Sequence, residues 1–140
     1  MPNNIDPFPG VAVGATAVFA KTVSESDVYN YAGITGDFSP NHVNAAYMRE
    51  GIYGERLAHG TLMVGFMSAA GAKLYLGRTV SQGYDRVRFL KGVRFGDTIT
   101  TTYEVSRIDT EKKRVYATVT CRNEHGETVA VATNIRVLVG

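Results

Sequence analysis

Apolar residues recur along this chain at two different periods, and the change from one to the other divides it. Val11 to Thr22 alternates imperfectly among small and β-branched residues and predicts a first strand after a tail punctuated by Pro2, Pro7, Pro9 and Gly10. Ser24-Glu25-Ser26-Asp27 then reads as a helix start, with Ser24 as N-cap and Asp27 at the third helical position. Val28, Tyr31 and Ala32 share one face of that short helix, which Gly33 and Gly36 are expected to end. Asn44 can cap a second short helix through Tyr47 and Met48, closed by Gly51. Gly60 to Leu76 is apolar on nearly every side, with Gly77 as terminator, and predicts a buried helix roughly 25 Å long at 1.5 Å per residue.

Beyond Gly77 the period falls to two. Tyr84 to Phe95, interrupted at Lys91-Gly92, Thr98 to Ile108, Arg114 to Arg122 and Val129 to Val139 read as strands. In the third of these, Val115, Ala117, Val119 and Cys121 are expected to face the core while Tyr116, Thr118, Thr120 and Arg122 face away. Asp109 to Lys113 and Asn123 to Gly126 supply hairpin turns. One long buried helix followed by an antiparallel meander predicts an α+β domain in which a sheet wraps around the helix.

Length and charge narrow the functional classes. The 140 residues suit one domain over 1–140, with 1–10 expected as a poorly ordered or extended tail. A net charge of +2 is too small for the broad footprint of a nucleic-acid-binding surface. No stretch approaches the ~18 consecutive apolar residues of a membrane span, so a soluble protein is expected. Cys121 is the only cysteine, which excludes an intrachain disulfide and suits a reducing compartment. Met1 to Gly10 lacks a basic region followed by an apolar run, and the expected location is the cytoplasm.

The chemistry concentrates in Gly36-Asp37-Phe38-Ser39-Pro40-Asn41-His42 and in Ala58-His59-Gly60 at the head of the long apolar segment. Asp37 and His42 stand five residues apart on a segment that Pro40 is expected to keep from being helical, since its ring removes an amide donor and biases Ser39 toward extended geometry. An imidazole and a carboxylate held against one reactant can move protons near neutral pH. The competing reading makes Asp37 a turn-former and His42 a surface residue. Three scattered histidines with no His pair at i, i+4 argue against a metal site. The glycines form neither a P-loop nor a dinucleotide fingerprint.

The stretch from Tyr31 through Thr35, Gly36, Asp37, Pro40 and His42, with Ala58-His59-Gly60, resembles the MaoC-like (R)-specific enoyl-CoA hydratase family, over nearly the whole chain from about Val11. Two positions depart from that pattern: Ser39 stands where the family usually has Asn, and Gly92 where relatives often carry proline. The resemblance implies the hot-dog fold and reversible hydration of a trans-2-enoyl-CoA to an (R)-3-hydroxyacyl-CoA, with the coenzyme A thioester as substrate and no cofactor. It implies that Asp37 and His42 share the proton work, either being base or acid, and that the Gly60 amide meets the thioester oxygen. His59 is expected to orient the loop, Ser68 to lie near the substrate, and Arg86 or Arg88, taken to share one strand face, to meet a phosphate of the nucleotide. It further implies a homodimer with sites at the interface. The rivals are a dehydratase or thioesterase acting on an acyl carrier protein or another acyl-CoA, and a non-catalytic acyl-CoA-binding module. Residues lining an acyl tunnel are sought among Tyr47, Met48, Tyr53, Met63 and Met67.

Overall fold

The structure, a computed structural model, describes residues 5–140. Nine elements follow in order: β1 (Thr16–Thr22), α1 (Glu25–Thr35), α2 (Pro40–Val43), α3 (Ala45–Arg49), α4 (Gly60–Gly71), β2 (Thr79–Phe89), β3 (Thr98–Asp109), β4 (Arg114–Arg122) and β5 (Thr128–Leu138). The strands make one five-stranded antiparallel sheet in the order β1-β3-β4-β5-β2. This is the hot-dog arrangement, with the sheet folded around α4.

The meander expected at the C-terminal end holds for β3, β4 and β5. β2 does not join it in sequence order: it pairs with β5 at the far edge, opposite β1. Val115, Ala117, Val119 and Cys121 are fully buried, as their alternation predicts. They meet Met63, Phe66, Met67 and Ala70, the buried face of α4. Each such large side chain, moved from water to the interior, stabilises the fold by about 1.5–3 kcal/mol. The Cys121 thiol sits behind the Met63 carbonyl at 3.9 Å and 3.3 Å from Thr101 Oγ1, and burial raises its pKa.

Three boundaries differ from the pattern reading. β1 begins at Thr16, because Val11 to Ala15 is taken up by a turn in which the Ala15 amide bonds the Ala12 carbonyl. α4 stops at Gly71, about 18 Å from its start at 1.5 Å per residue. Lys73 and Leu74 there bond carbonyls only three residues back, and the chain peels away so that Leu76 enters the core. β2 starts at Thr79, well before Tyr84, since its first residues are polar edge positions with no apolar alternation to announce them. Near the N-terminus, Phe8 is fully buried, so the segment from Ile5 onward is held to the body; residues 1–4 lie outside the described part.

α1 delivers the chain to the loop that carries Asp37. At its start Ser24 Oγ accepts from the Asp27 amide at 3.1 Å and Asp27 Oδ2 accepts from the Ser24 amide at 3.0 Å, a complete capping box. Gly33 remains inside the helix. Gly36 ends it in the left-handed region at φ 83°, with its amide on the Ala32 carbonyl, a conformation that costs a Cβ-bearing residue energy. Ser24→Ala is expected to cost about 1 kcal/mol of stability, read as a lower urea midpoint with an unchanged slope.

Candidate active site

Pro40 acts here in a way the sequence reading did not anticipate. Ser39 is extended, at φ −55° and ψ 143°, but Pro40 opens the single helical turn α2, where the first position needs no amide donor. The segment is therefore helical from Pro40 onward, and His42 lies in that turn, 9% exposed. The turn is stitched in place from the other side. The Leu57 amide bonds the Asn41 carbonyl at 2.9 Å, the Ala58 amide bonds the Val93 carbonyl at 2.8 Å, and Leu57 bridges to Arg94.

This fixes the state of His42. Its Nδ1 lies 2.8 Å from the Leu57 carbonyl, an atom that can only accept, so Nδ1 carries a proton and the tautomer of the neutral ring is the one whose Nε2 presents a lone pair. Nε2 faces Asp37 Oδ2 across 3.9 Å. The carboxylate of Asp37 is partly exposed, and Ser39 holds it on its other oxygen: Oγ donates at 2.5 Å and the backbone amide at 3.1 Å. The Ser39 hydroxyl, more than any other group, lowers the pKa of Asp37. Two acceptors facing each other across a gap too wide for a direct hydrogen bond suit a water that donates to both.

His59, fully buried, lies beneath this pair. Its ring stacks on His42 with centroids 3.7 Å apart and planes 25° apart, and Tyr31 packs on it at 4.7 Å. Nε2 donates to the Asp37 backbone carbonyl at 2.9 Å, which ties the loop to the head of α4, while Nδ1 has no partner among the described residues. Tyr31 in turn donates to Thr61 Oγ1 at 2.6 Å. Asp37, His42 and His59 offer three donor atoms within 4.8 Å of one another. The lone pairs of two near-parallel rings run alongside each other instead of converging, so the trio is a poor cage for an ion.

Gly60 begins α4, and its amide has no acceptor among the described residues. It is a close-approach glycine: a Cβ there would stand 2.8 Å from the Phe89 ring. His42, Gly60, Leu57, Met63, Phe89 and Lys91 line one cleft of about 250 Å³. The structure thus brings Asp37, His42, His59 and Gly60 together. Ser68 lies elsewhere, two turns along α4, exposed and beside Tyr84. Arg88 also lies outside the cleft, donating to its own Val87 carbonyl at 2.8 Å.

Arg86 and Arg88 do not share a face by simple alternation. Arg86 has φ 55°, the pairing with β5 slips between Asp85 and Arg88, and Tyr84 and Val87, three apart, both pack on the core. Of the tunnel candidates, Tyr53 and Met63 line the cleft, Tyr47 and Met48 line an adjoining hollow of about 420 Å³, and Met67 is sealed in the core. Sequence reasoning missed the Leu57 carbonyl, Phe89 and the Ser39 hydroxyl bond to Asp37 itself. Only the last carried a signal, in the departure from Asn.

A carboxylate and a tautomer-fixed imidazole near an open helix start, in a hot-dog fold, suit a lyase that moves water. Comparison with known proteins gives the lineage. A model of the MaoC-like domain matches residues 11–128. An (R)-specific enoyl-CoA hydratase of Rhodospirillum rubrum is 39% identical over 114 residues, covering 81% of this chain and 79% of the relative. A 3-hydroxybutyryl-CoA dehydratase of Methylorubrum extorquens is 32% identical, covering 81% and 73%. The unliganded R-hydratase of Pseudomonas aeruginosa superposes with a TM-score of 0.85 at 30% identity, over 95% of this chain and 85% of that one. The chain belongs to the MaoC-like family, and it is a hydro-lyase.

Proposed function

We propose that this protein reversibly hydrates a trans-2-enoyl-CoA to an (R)-3-hydroxyacyl-CoA, and the observation that carries the reading is the 3.9 Å gap between His42 Nε2 and Asp37 Oδ2, with His42 lining the same cleft as Gly60. A water in the gap donates one proton toward each acceptor, leaving an oxygen lone pair for the substrate's β-carbon. As that bond forms, the water's proton passes to the pair and the π electrons move to the thioester oxygen. There the Gly60 amide and the positive end of α4 stabilise the developing enolate. The enolate then collapses and the α-carbon takes a proton from the same pair. We assign abstraction to His42 and orientation of the water to Asp37, because a carboxylate stabilised by two bonds from Ser39 is the weaker base. Dehydration runs these steps backward.

No cofactor enters this scheme. For the thioester's pantetheine arm and phosphates, the fit is a polar groove of about 380 Å³ that adjoins the cleft at Lys91 and Gly92 and includes Arg94 and His125. Lys91 there is paired with Glu127 and would exchange it for a phosphate. A cytoplasmic site of action accords with the sole cysteine being free and buried. No helix among the described residues is long and apolar enough to cross a membrane.

We also infer a homodimer, because β1 and β2 leave outer edges unpaired and a long edge strand invites a second copy. Light scattering is expected to give twice the chain mass, and a fully active monomer would rule this out. Loss of enoyl absorbance with crotonyl-CoA tests the chemistry: Asp37→Asn and His42→Ala are each expected to lower kcat at least about 10²-fold with the fold intact. Wild-type turnover without such losses would remove both residues from the mechanism.

Ser39 also sets how far Asp37 stays ionised. Its hydroxyl, with its amide, lowers the Asp37 pKa, so the carboxylate keeps its charge and its hold on a water as pH falls, until below its usual range. Ser39→Ala is expected to move the Asp37 carboxyl titration midpoint, read by carbon NMR, to higher pH while activity near neutral pH is largely retained. An unmoved midpoint would mean that the Ser39 hydroxyl does not stabilise the carboxylate.

A further inference from the structure

α4 lies off-centre on the sheet. It packs mainly on β1, β3 and β4 and meets the edge strand β2 at two points. Gly60 sits against Phe89 near the end of β2, where both line the cleft, and Ser68 sits beside Tyr84 of the same strand. The seam between α4 and β2 therefore runs from the reaction cleft to Ser68, a rise of about 12 Å at 1.5 Å per residue.

The far end of that seam is polar. Arg136 opposes Val115 directly across the β4–β5 ladder, and Val115 is fully buried, so Arg136 stands on the core-facing side of the sheet. Its Nε donates to Thr79 Oγ1 at 3.0 Å and its Nη2 to the Thr79 carbonyl at 3.3 Å. Nη1 has no acceptor and no carboxylate pairs with the guanidinium among the described residues. Its charge reaches the hydroxyls of both Tyr84 and Tyr103. Neighbouring Asn134 is fully committed: Oδ1 accepts from the Tyr103 hydroxyl at 2.6 Å, and Nδ2 donates to Ser81 Oγ at 2.9 Å and the Gly83 carbonyl at 3.0 Å. What remains is a guanidinium with no counter-ion, beside the Tyr103 hydroxyl and near the Tyr84 and Ser68 hydroxyls, which bond each other. A hydrocarbon tail would leave that charge facing carbon, whereas a carboxylate would neutralise it and could also accept from the hydroxyls.

We infer that Arg136, with Tyr84 and Ser68, receives a carboxylate at the distal end of the acyl chain, which makes the preferred substrate the 2-enoyl thioester of a dicarboxylic acid. This rests on the hydratase reading and names the substrate class of the same site. The test compares kcat/KM for trans-2-octenoyl-CoA and its ω-carboxylated counterpart, with crotonyl-CoA as reference, in wild type, Arg136→Gln and Tyr84→Phe.

The wild type is expected to favour the carboxylated thioester by at least about tenfold, mainly through KM, and Arg136→Gln to bring the ratio close to one. Tyr84→Phe, which keeps the ring and removes one donor, is expected to lower the ratio partway and stands in if the arginine variant fails to fold. A wild-type ratio of one or less overturns the assignment, as does a ratio unmoved by either substitution. Gel filtration showing that Arg136→Gln only dissociates subunits, with the ratio unmoved, gives the arginine to a subunit contact and also overturns it. If the wild type turns over no enoyl thioester, the hydratase reading falls separately, and calorimetric binding of the carboxylated against the alkyl thioester decides the subsite.

Discussion

The bond from His42 Nδ1 to the Leu57 carbonyl is the constraint on which the site depends. A neutral imidazole can present its lone pair on either nitrogen, and only one choice faces Asp37. The carbonyl makes that choice by accepting a hydrogen bond from the other nitrogen. Leu57 can do this because its own amide is held by Asn41 and its neighbour's amide by Val93, which joins the loop to both α2 and the segment after β2. The tautomer of one ring is thus set by backbone hydrogen bonds drawn from three separate parts of the chain.

The same economy governs the carboxylate. Asp37 is anchored through its main chain by His59 and through its side chain by Ser39, so one oxygen is held and the other is left to face His42. The stacked rings of His42 and His59 make the two anchors a single unit, because a shift of either ring moves the other. His59 is fully buried at the N-cap of α4, and the position of the loop is therefore referred to the helix start that carries the Gly60 amide. Asp37, His42 and the Gly60 amide share one rigid reference.

Much of this was legible in the sequence. The capping box at Ser24, the alternation from Val115 to Cys121 and both hairpin turns are local patterns whose cause lies within a few residues, and each appears where its spacing puts it. The start of β2 was not legible, because Thr79 to Gln82 is an edge segment whose strand geometry comes from pairing with Val137 and Leu138, far away in the chain. Nor was the end of α4, where Leu76 gains more from entering the core than from continuing a helix. At the site, Asp37, His42 and Gly60 stood out through a motif and the family it resembles, but the Leu57 carbonyl did not. A main-chain atom leaves no mark in residue identity. The turn at Pro40 failed for a different reason: proline was weighed as a breaker when its position made it a starter.

The single sulfhydryl has a consequence for the chemistry proposed next to it. A protein that handles activated acyl groups risks losing them to its own nucleophiles by exchange at sulfur. Cys121 lies directly behind Met63, a wall of the cleft, yet it is completely enclosed, and burial keeps it in the protonated, unreactive form. Met63 thus separates the cleft from the chain's sole thiol, as the proposed chemistry would require for water to be the nucleophile within reach.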